Sequence, residues 1–244
     1  MPAYKVDLHN HCDCDPIDQL SYSYQDLIDK AHEQGVDALA ITPHRDPFPE
    51  KDIPDAIAYA QNKGMLFIPG VERYIDGREV IILNAQPSYF SSETQLGQKD
   101  LRKIRQEQGD AVLTIAPHPF YPRKTCVGRV LDQIKDLIDA LEFSHMYFPF
   151  WNPNTKAEVW AKANNKPVVA NSDSHNLHMI GKNSSIVEAD SLTTEAIFSA
   201  IRNHHVRYEI RYMTVMESLA YLSRLFIQVT KHALVMAFKR PVHH

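Results

Sequence analysis

A chain of 244 residues is long enough for one large hydrophobic core, and α/β barrels of this size usually form one domain. With 44 % hydrophobic and 23 % charged residues it has the balance of a soluble globular protein, and a formal net charge of -4 gives no electrostatic case for a polyanionic partner, so nucleic acid is allowed but unsupported. Three cysteines, Cys12, Cys14 and Cys126, are too few for a disulfide framework, and the opening MPAYKVDL lacks the basic and apolar regions of a signal peptide, so a cytoplasmic location is expected.

Short apolar runs rich in β-branched residues alternate with segments of helical period. In chain order they read YKVDLH, helical YQDLIDKAHEQG, ALAIT, helical DIPDAIAYAQNKG, MLFIPGV, EVIILN, helical QKDLRKIRQEQG, AVLTIA, helical RVLDQIKDLI, ALEFS, helical NTKAEVWAKANN and PVVANS. The alternation predicts βαβ units around a parallel sheet, and seven strands favour a closed or partly closed barrel. Gly35, Gly64 and Gly109 each stand where a helix stops before a strand. There is no internal repeat, and no run of about 18 uncharged apolar residues that would span a membrane.

Nearly every predicted strand finishes in a potential ligand. DLHNH, with His9 and His11, ends the first. TPH ends the second with His44, GVE the third with Glu72, APH the fifth with His118, LEFSH the sixth with Glu142 and His145, and NSDSH the last with Asp173 and His175. In a parallel barrel all C-terminal strand ends open on one face, so these groups converge on one cup. Residues two apart on a strand share a face, which sets His9 beside His11 and Asp173 beside His175. Any one of these histidines read alone is more often a hydrogen-bonded structural residue; the coincidence of six strand ends is what points to metal. Mixed imidazole and carboxylate donors suit zinc, manganese or iron.

The ordered set HNH with a following Asp15, TPH, GVE, APHP and NSDSH resembles the PHP family, named for polymerase and histidinol phosphatase, over roughly residues 4–207. The resemblance implies a distorted seven-stranded β/α barrel with two or three divalent ions at its mouth, usually hydrolysing phosphoesters. Carried over by motif, His9, His11, Glu72 and Asp173 would hold one ion, Asp15, His44 and His175 another, and Glu72 with His118 would begin a third site. Two positions depart from the pattern: Pro43 stands where an aspartate is frequent, and Ile81 where a histidine is frequent. The third ion is therefore short of a ligand, and His145 is the candidate to supply it.

Other residues are assigned with their structural alternatives. Arg45 and Arg73 follow ligand positions and either clamp a phosphate or stay on the solvated surface. His145 is the candidate proton donor to the leaving oxygen. Asp7 either orients His9 or packs beneath the site. Cys12 and Cys14 lack the second cysteine pair of a structural zinc site, and His178 and Lys182 could reach the mouth by loop. The expected activity is hydrolysis of a small phosphomonoester by metal-activated hydroxide. The alternatives are an amidohydrolase-type C–N or ester hydrolase, and a degenerate metal-binding module without catalysis.

Residues 1–212 make the predicted catalytic domain and 213–244 a helical tail. Thr214 and Glu217 form a capping box. Glu217, Tyr221, Arg224, Gln228 and Lys231 then leave Met216, Leu219, Leu222, Leu225, Phe226, Val229, Leu234 and Phe238 around a wide apolar face. Its charges oppose a membrane span, each costing roughly 2.5 to 3.5 kcal/mol near the bilayer centre. The face is expected to pack on its own barrel, on a second copy, or on a membrane surface through Lys231, Lys239 and Arg240. All proposed ligands precede Asn176, so removing 214–244 is expected to spare metal binding.

Overall fold

A computed structural model describes residues 1–90, 95–147 and 151–211 of the protein. The helix expected over 214–244 lies outside the described residues. The strands are β1 (Ala3–Asp7), β2 (Ala38–Ile41), β3 (Leu66–Ile75), β4 (Arg78–Leu83), β5 (Leu113–Ala116), β6 (Ala140–Phe143), β7 (Val168–Ala170), β8 (Ser184–Glu188) and β9 (Val206–Glu209). The helices are α1 (Tyr24–Glu33), α2 (Ile53–Gln61), α3 (Gln98–Gln108), α4 (Leu131–Ile134), α5 (Asn154–Ala163) and α6 (Thr194–Arg202).

The strands form one sheet in the order β7-β6-β5-β4-β3-β2-β1-β8-β9, curled into a nearly closed barrel. This corrects the sequence expectation twice. The sheet has nine strands rather than seven, because the short SSIVE and VRYE segments, too poor in apolar residues to stand out, pair antiparallel as β8 and β9. It is also mixed rather than parallel: β4 runs antiparallel to both β3 and β5, and β8 antiparallel to β1. A tight turn at Asp76 and Gly77, both at positive φ, joins β3 to β4 directly and so needs no crossover helix. On the side where β1 and β7 approach each other, Leu8 N donates to Asn171 Oδ1 at 2.9 Å and His11 N to Ser174 O at 3.2 Å. Beside them Ser185 Oγ of β8 accepts from Ala170 N of β7 at 2.9 Å.

Period-two alternation decides what each strand faces. Val6 and Leu8, Ala38 and Ala40, Ile81 and Leu83, and Leu113 and Ile115 point into the barrel and are fully buried together. Their neighbours point outward to the helices, Leu39 and Ile41 against Leu27 and Ile28 of α1, and Val80 and Ile82 against Leu101 and Ile104 of α3. Each of the valine, leucine and isoleucine side chains contributes about 1.5–3 kcal/mol on burial. The helix starts are specified locally: Ser23 Oγ accepts from Asp26 N at 3.2 Å while Asp26 Oδ2 accepts from Ser23 N at 2.8 Å, a reciprocal cap for α1. Gly35 and Gly64 follow α1 and α2 with φ of 67° and 72°, a conformation that costs glycine nothing.

Strands β1, β2, β3, β5, β6 and β7 all run the same way, so their C-terminal ends share one rim. Reversed β4 brings its beginning, Arg78 and Glu79, to that rim instead. At the opposite end Asp139, just before β6, is gripped by Arg105 of α3 and Arg202 of α6. Among the described residues no helix is long and apolar enough to cross a membrane.

Candidate metal centre

The rim gathers the sequence-predicted histidines and acids into one buried cluster. Glu72 lies within β3 rather than after it, and its carboxylate is the hub: Oε2 is 3.2 Å from His9 Nε2, 3.6 Å from His11 Nε2 and 3.1 Å from His44 Nε2, while Oε1 is 3.5 Å from His118 Nε2. Asp173 Oδ1 is 3.4 Å from both His9 Nε2 and His11 Nε2, and 3.5 Å from His175 Nδ1. His9, His11, Glu72, His118, Asp15 and Asp173 are all buried, and His44 and His175 form the partly exposed lip. Strand ends that turn sharply to aim these groups carry non-glycine residues at positive φ: Arg45 at 65°, His118 at 30° and Asp173 at 46°. Each such position costs of order 1–3 kcal/mol, strain the surrounding packing must hold.

The chemistry of the donor set fits divalent cations. His9 Nε2 and His11 Nε2 face each other at 3.2 Å, and the ring centroids of His11 and His175, like those of His11 and His44, are 4.4 Å apart. Imidazole nitrogens that converge on shared carboxylates are donors that a divalent cation could take in place of the protons they otherwise share. Two groups, His9 with His11 and Asp173, and His11 with His44 and His175, each present ligand atoms within 4.8 Å of one another. Electrostatics follow the same geometry. Burial opposes charge on His9, but Asp173, Glu142 and Glu72 outweigh it and raise its pKa well above the usual imidazole value. Burial likewise opposes ionisation of Glu72 and Asp173, yet the histidines, His9 foremost, hold both well below the carboxylate range.

Around this cluster, carboxylates fix the rings. Asp15 Oδ2 takes His11 Nδ1 at 2.9 Å, His44 Nδ1 at 2.8 Å and the His44 backbone N–H at 2.9 Å, while Oδ1 accepts from Ile17 N and Asp18 N. Both rings thereby turn Nε2 toward Glu72. His9 is oriented by Glu142, whose Oε1 lies 2.9 Å from His9 Nδ1 and accepts from Asn171 Nδ2 at 2.9 Å. Asp7 does not orient His9. Its carboxylate accepts from Ser172 N at 3.0 Å and from Gly181 N, and burial raises its pKa to about 6.

The other expected residues land as follows. His145 is buried near the cluster, and desolvation, only partly opposed by Asp173 and Glu142, pulls its imidazole down to about 4. Arg73 alternates to the other face of β3 and its guanidinium donates to the Arg45 carbonyl, so it braces the loop after β2. Arg45 is exposed at the rim. Cys12 and Cys14 pack with Leu27 and Ile28, their sulfurs 3.2 Å apart. His178 and Lys182 lie on the loop that follows His175.

Three residues at the rim escaped the sequence reading. Asp18 Oδ2 lies 3.0 Å from His175 Nε2 and 3.5 Å from His44 Nδ1, and the loop that Asp15 caps carries it there. Glu79 and Cys126 sit beyond His118 and form a group with it that could hold an ion. For Asp18 a signal existed in the sequence, an acid a short loop from the HNH motif. For Glu79 none did, because β4 was expected to present its end rather than its beginning, and Cys126 stands on the loop after β5 with no motif around it.

Residues 151–206 match the family described as PHP_C, PHP-associated. No curated protein sequence matches the chain. Among solved structures the fold is similar to PsfC from Pseudomonas syringae, at 17 % identity and a TM-score of 0.66 over 94 % of this chain and 100 % of that one. It is similar to a two-domain protein from Bacteroides vulgatus containing a predicted PHP-like metal-dependent phosphoesterase, at 17 % identity and a TM-score of 0.64 over 86 % of this chain and 65 % of that one. It is also similar to the lesion-specific endonuclease Q of Pyrococcus furiosus, at 16 % identity and a TM-score of 0.58 over 83 % of this chain and 56 % of that one. The chain thus spans less than two thirds of the last two proteins, and at these identities the likeness is one of fold. The match over residues 151–206 and the shared fold agree with the resemblance that the ordered motifs carry.

Proposed function

We propose that the protein is a metal-dependent hydrolase that cleaves a phosphoester, with small phosphomonoesters as its first substrate class. The observation that carries this reading is Glu72, one buried carboxylate within 3.6 Å of His9, His11, His44 and His118. A carboxylate shared among so many imidazoles suits a bridge between two cations better than a single structural ion. His9, His11, Glu72 and Asp173 would hold one ion. His44 and His175 would hold the second with Asp18, because Asp15 already spends both oxygens on ring and backbone donors. Ions bound there would supply Lewis acidity, lowering the pKa of water and neutralising phosphoryl oxygens.

The chain's own residues do the rest. Asp15 and Glu142 fix the orientation of His11, His44 and His9, and the buried floor of Ile81 and Leu8 keeps water from the far side of the site. Arg45 is the guanidinium available to a phosphate at the lip, Arg73 being committed to backbone. On this reading residues 1–212 are the catalytic unit and 213–244 an appendage.

The test is turnover with manganese on a panel of phosphomonoesters, nucleotides, short oligonucleotides and a carboxyl ester. Oligonucleotides belong in it because the similar endonuclease Q has been crystallised with a 27-mer duplex substrate. Phosphate release that chelation abolishes and Asp173→Ala reduces by orders of magnitude is the expected result. Turnover indifferent to chelation would defeat the reading, and activity on the carboxyl ester alone would favour amidohydrolase-type chemistry.

A further inference from the structure

Behind the hub, on the side of His118 away from Glu72, lies a second set of donors that the proposed reaction does not use. Glu79 is 2 % exposed, and its Oε2 makes no hydrogen bond. That oxygen is 3.8 Å from His118 Nδ1, and Cys126 Sγ is 3.4 Å from the same nitrogen. Ligand atoms of Glu79, His118 and Cys126 all lie within 4.8 Å of one another, and all three residues are buried.

The fold builds this pocket deliberately. Glu79 and Ile81 share the inward face of β4, so Glu79 stands one pleat nearer the rim than the isoleucine that replaces a donor. The loop after β5 is pinned beside it: Glu79 N donates to Thr125 O at 2.8 Å, and the Arg78 guanidinium donates to the Lys124 carbonyl. Gly128 seals the fold-back, because a Cβ there would come within 2.4 Å of the Pro119 carbonyl oxygen. Cys126 is therefore held in place by backbone on both sides. Arg123 Nη2 lies 3.6 Å from Glu79 Oε1, which engages one carboxylate oxygen and leaves Oε2 directed at His118 and Cys126.

We propose that Glu79 Oε2, His118 Nδ1 and Cys126 Sγ form a separate cation site that takes zinc or iron(II). A thiolate with one imidazole and one carboxylate is a donor set for a borderline-soft ion, unlike the oxygen and nitrogen donors of the main centre. On binding, the Cys126 thiol gives its proton to solvent and a metal–sulfur bond forms, with no change of oxidation state. His118 then carries its proton on Nε2 and directs it at Glu72 Oε1, 3.5 Å away. It thus becomes a positioning residue for the hub rather than a ligand of the main centre.

The experiment uses the full chain, reduced and anaerobic, with cobalt(II) as the probe. The expected result is an equivalent of cobalt with near-ultraviolet sulfur-to-cobalt charge transfer. Cys126→Ser should remove both the band and one cobalt per chain, and Glu79→Gln should weaken that equivalent by about tenfold or more. Variants Cys12→Ser and Cys14→Ser should keep the band. Should Cys126→Ser fail to fold by circular dichroism, the parent band and Glu79→Gln still decide. Absence of the band in the parent, its survival in Cys126→Ser, or its loss in Cys12→Ser or Cys14→Ser would overturn the site. None of these readouts depends on phosphate release, so the site and the proposed phosphoesterase activity fail separately.

Discussion

Two clusters of buried charge stand at opposite ends of the barrel, and they are built on different principles. At the base, Asp139 accepts from Arg105 at 2.6 and 2.9 Å, from Arg202 Nε at 3.2 Å, and from Thr114 N and Oγ1 at 2.9 and 3.0 Å. Both carboxylate oxygens meet donors that never lose their protons, and burial is outweighed by Arg105 and Arg202, which hold the Asp139 pKa below the usual value. At the mouth, Glu72 and Asp173 meet imidazoles, which can give their protons up. The base is a closed network whose product is stability. The mouth is an open one, whose product is the capacity to exchange protons for cations.

Replacing a hub acid should separate the two ends most sharply. Glu72→Gln should abolish high-affinity metal binding and, with it, hydrolysis, losing more than the about 10–100-fold that an orienting residue costs. Elemental analysis alongside turnover checks this. The corresponding change at the base, Asp139→Asn, should leave metal content intact, and a fall there would erase the distinction between the clusters.

A second comparison lies within the mouth. Asp15→Asn should lower metal affinity by about 10–100-fold, because it frees the rings of His11 and His44 without removing a donor from the main group. Asp18→Asn should selectively weaken the ion at the lip. Equal loss of both ions in Asp18→Asn, read by competitive chelator titration, would return Asp15 to the ligand set.

The smallest effect belongs to the base. Asp139→Asn keeps the shape but loses the charge-assisted bonds, and unfolding in urea at neutral pH should show a loss of about 1–3 kcal/mol. Because the folded carboxyl has a lowered pKa, its stabilisation is complete above the unfolded value of about 3.9 and is lost as pH falls through the lower folded value. The gap between wild type and Asp139→Asn should therefore narrow in acid. A gap that widened there would reverse the assigned direction.

Much of the cluster at the mouth was legible in the sequence because most of its histidines and acids end forward strands, and HNH, TPH, APH and NSDSH mark those ends with little ambiguity. Glu72 was legible as a member of the cluster although β3 runs on past it. What the strand-end rule could not reach was β4, since a reversed strand offers its first residues to the rim and Glu79 reads there as the start of an ordinary apolar run. Orienting residues were harder still. Asp7 and Glu142 are both acids near His9, and only the third dimension shows that Glu142 crosses the barrel while Asp7 turns to Ser172. The two extra strands were missed because β9 alternates between half-buried and exposed residues and owes its place to pairing with β8 rather than to its own apolar content.

Glu72 is woven into the sheet on both sides. Its N–H donates to Pro43 O and its carbonyl accepts from Arg45 N, both at 3.0 Å, while across β4 it faces Ile81. The Glu72 amide should thus exchange with deuterium only when the barrel itself opens, whereas amides on the loop from Asn176 to Lys182 exchange through local fraying. The mouth then has a fixed fulcrum and a moving lip, and cations would come and go past the lip while the fulcrum stays protected for the lifetime of the fold.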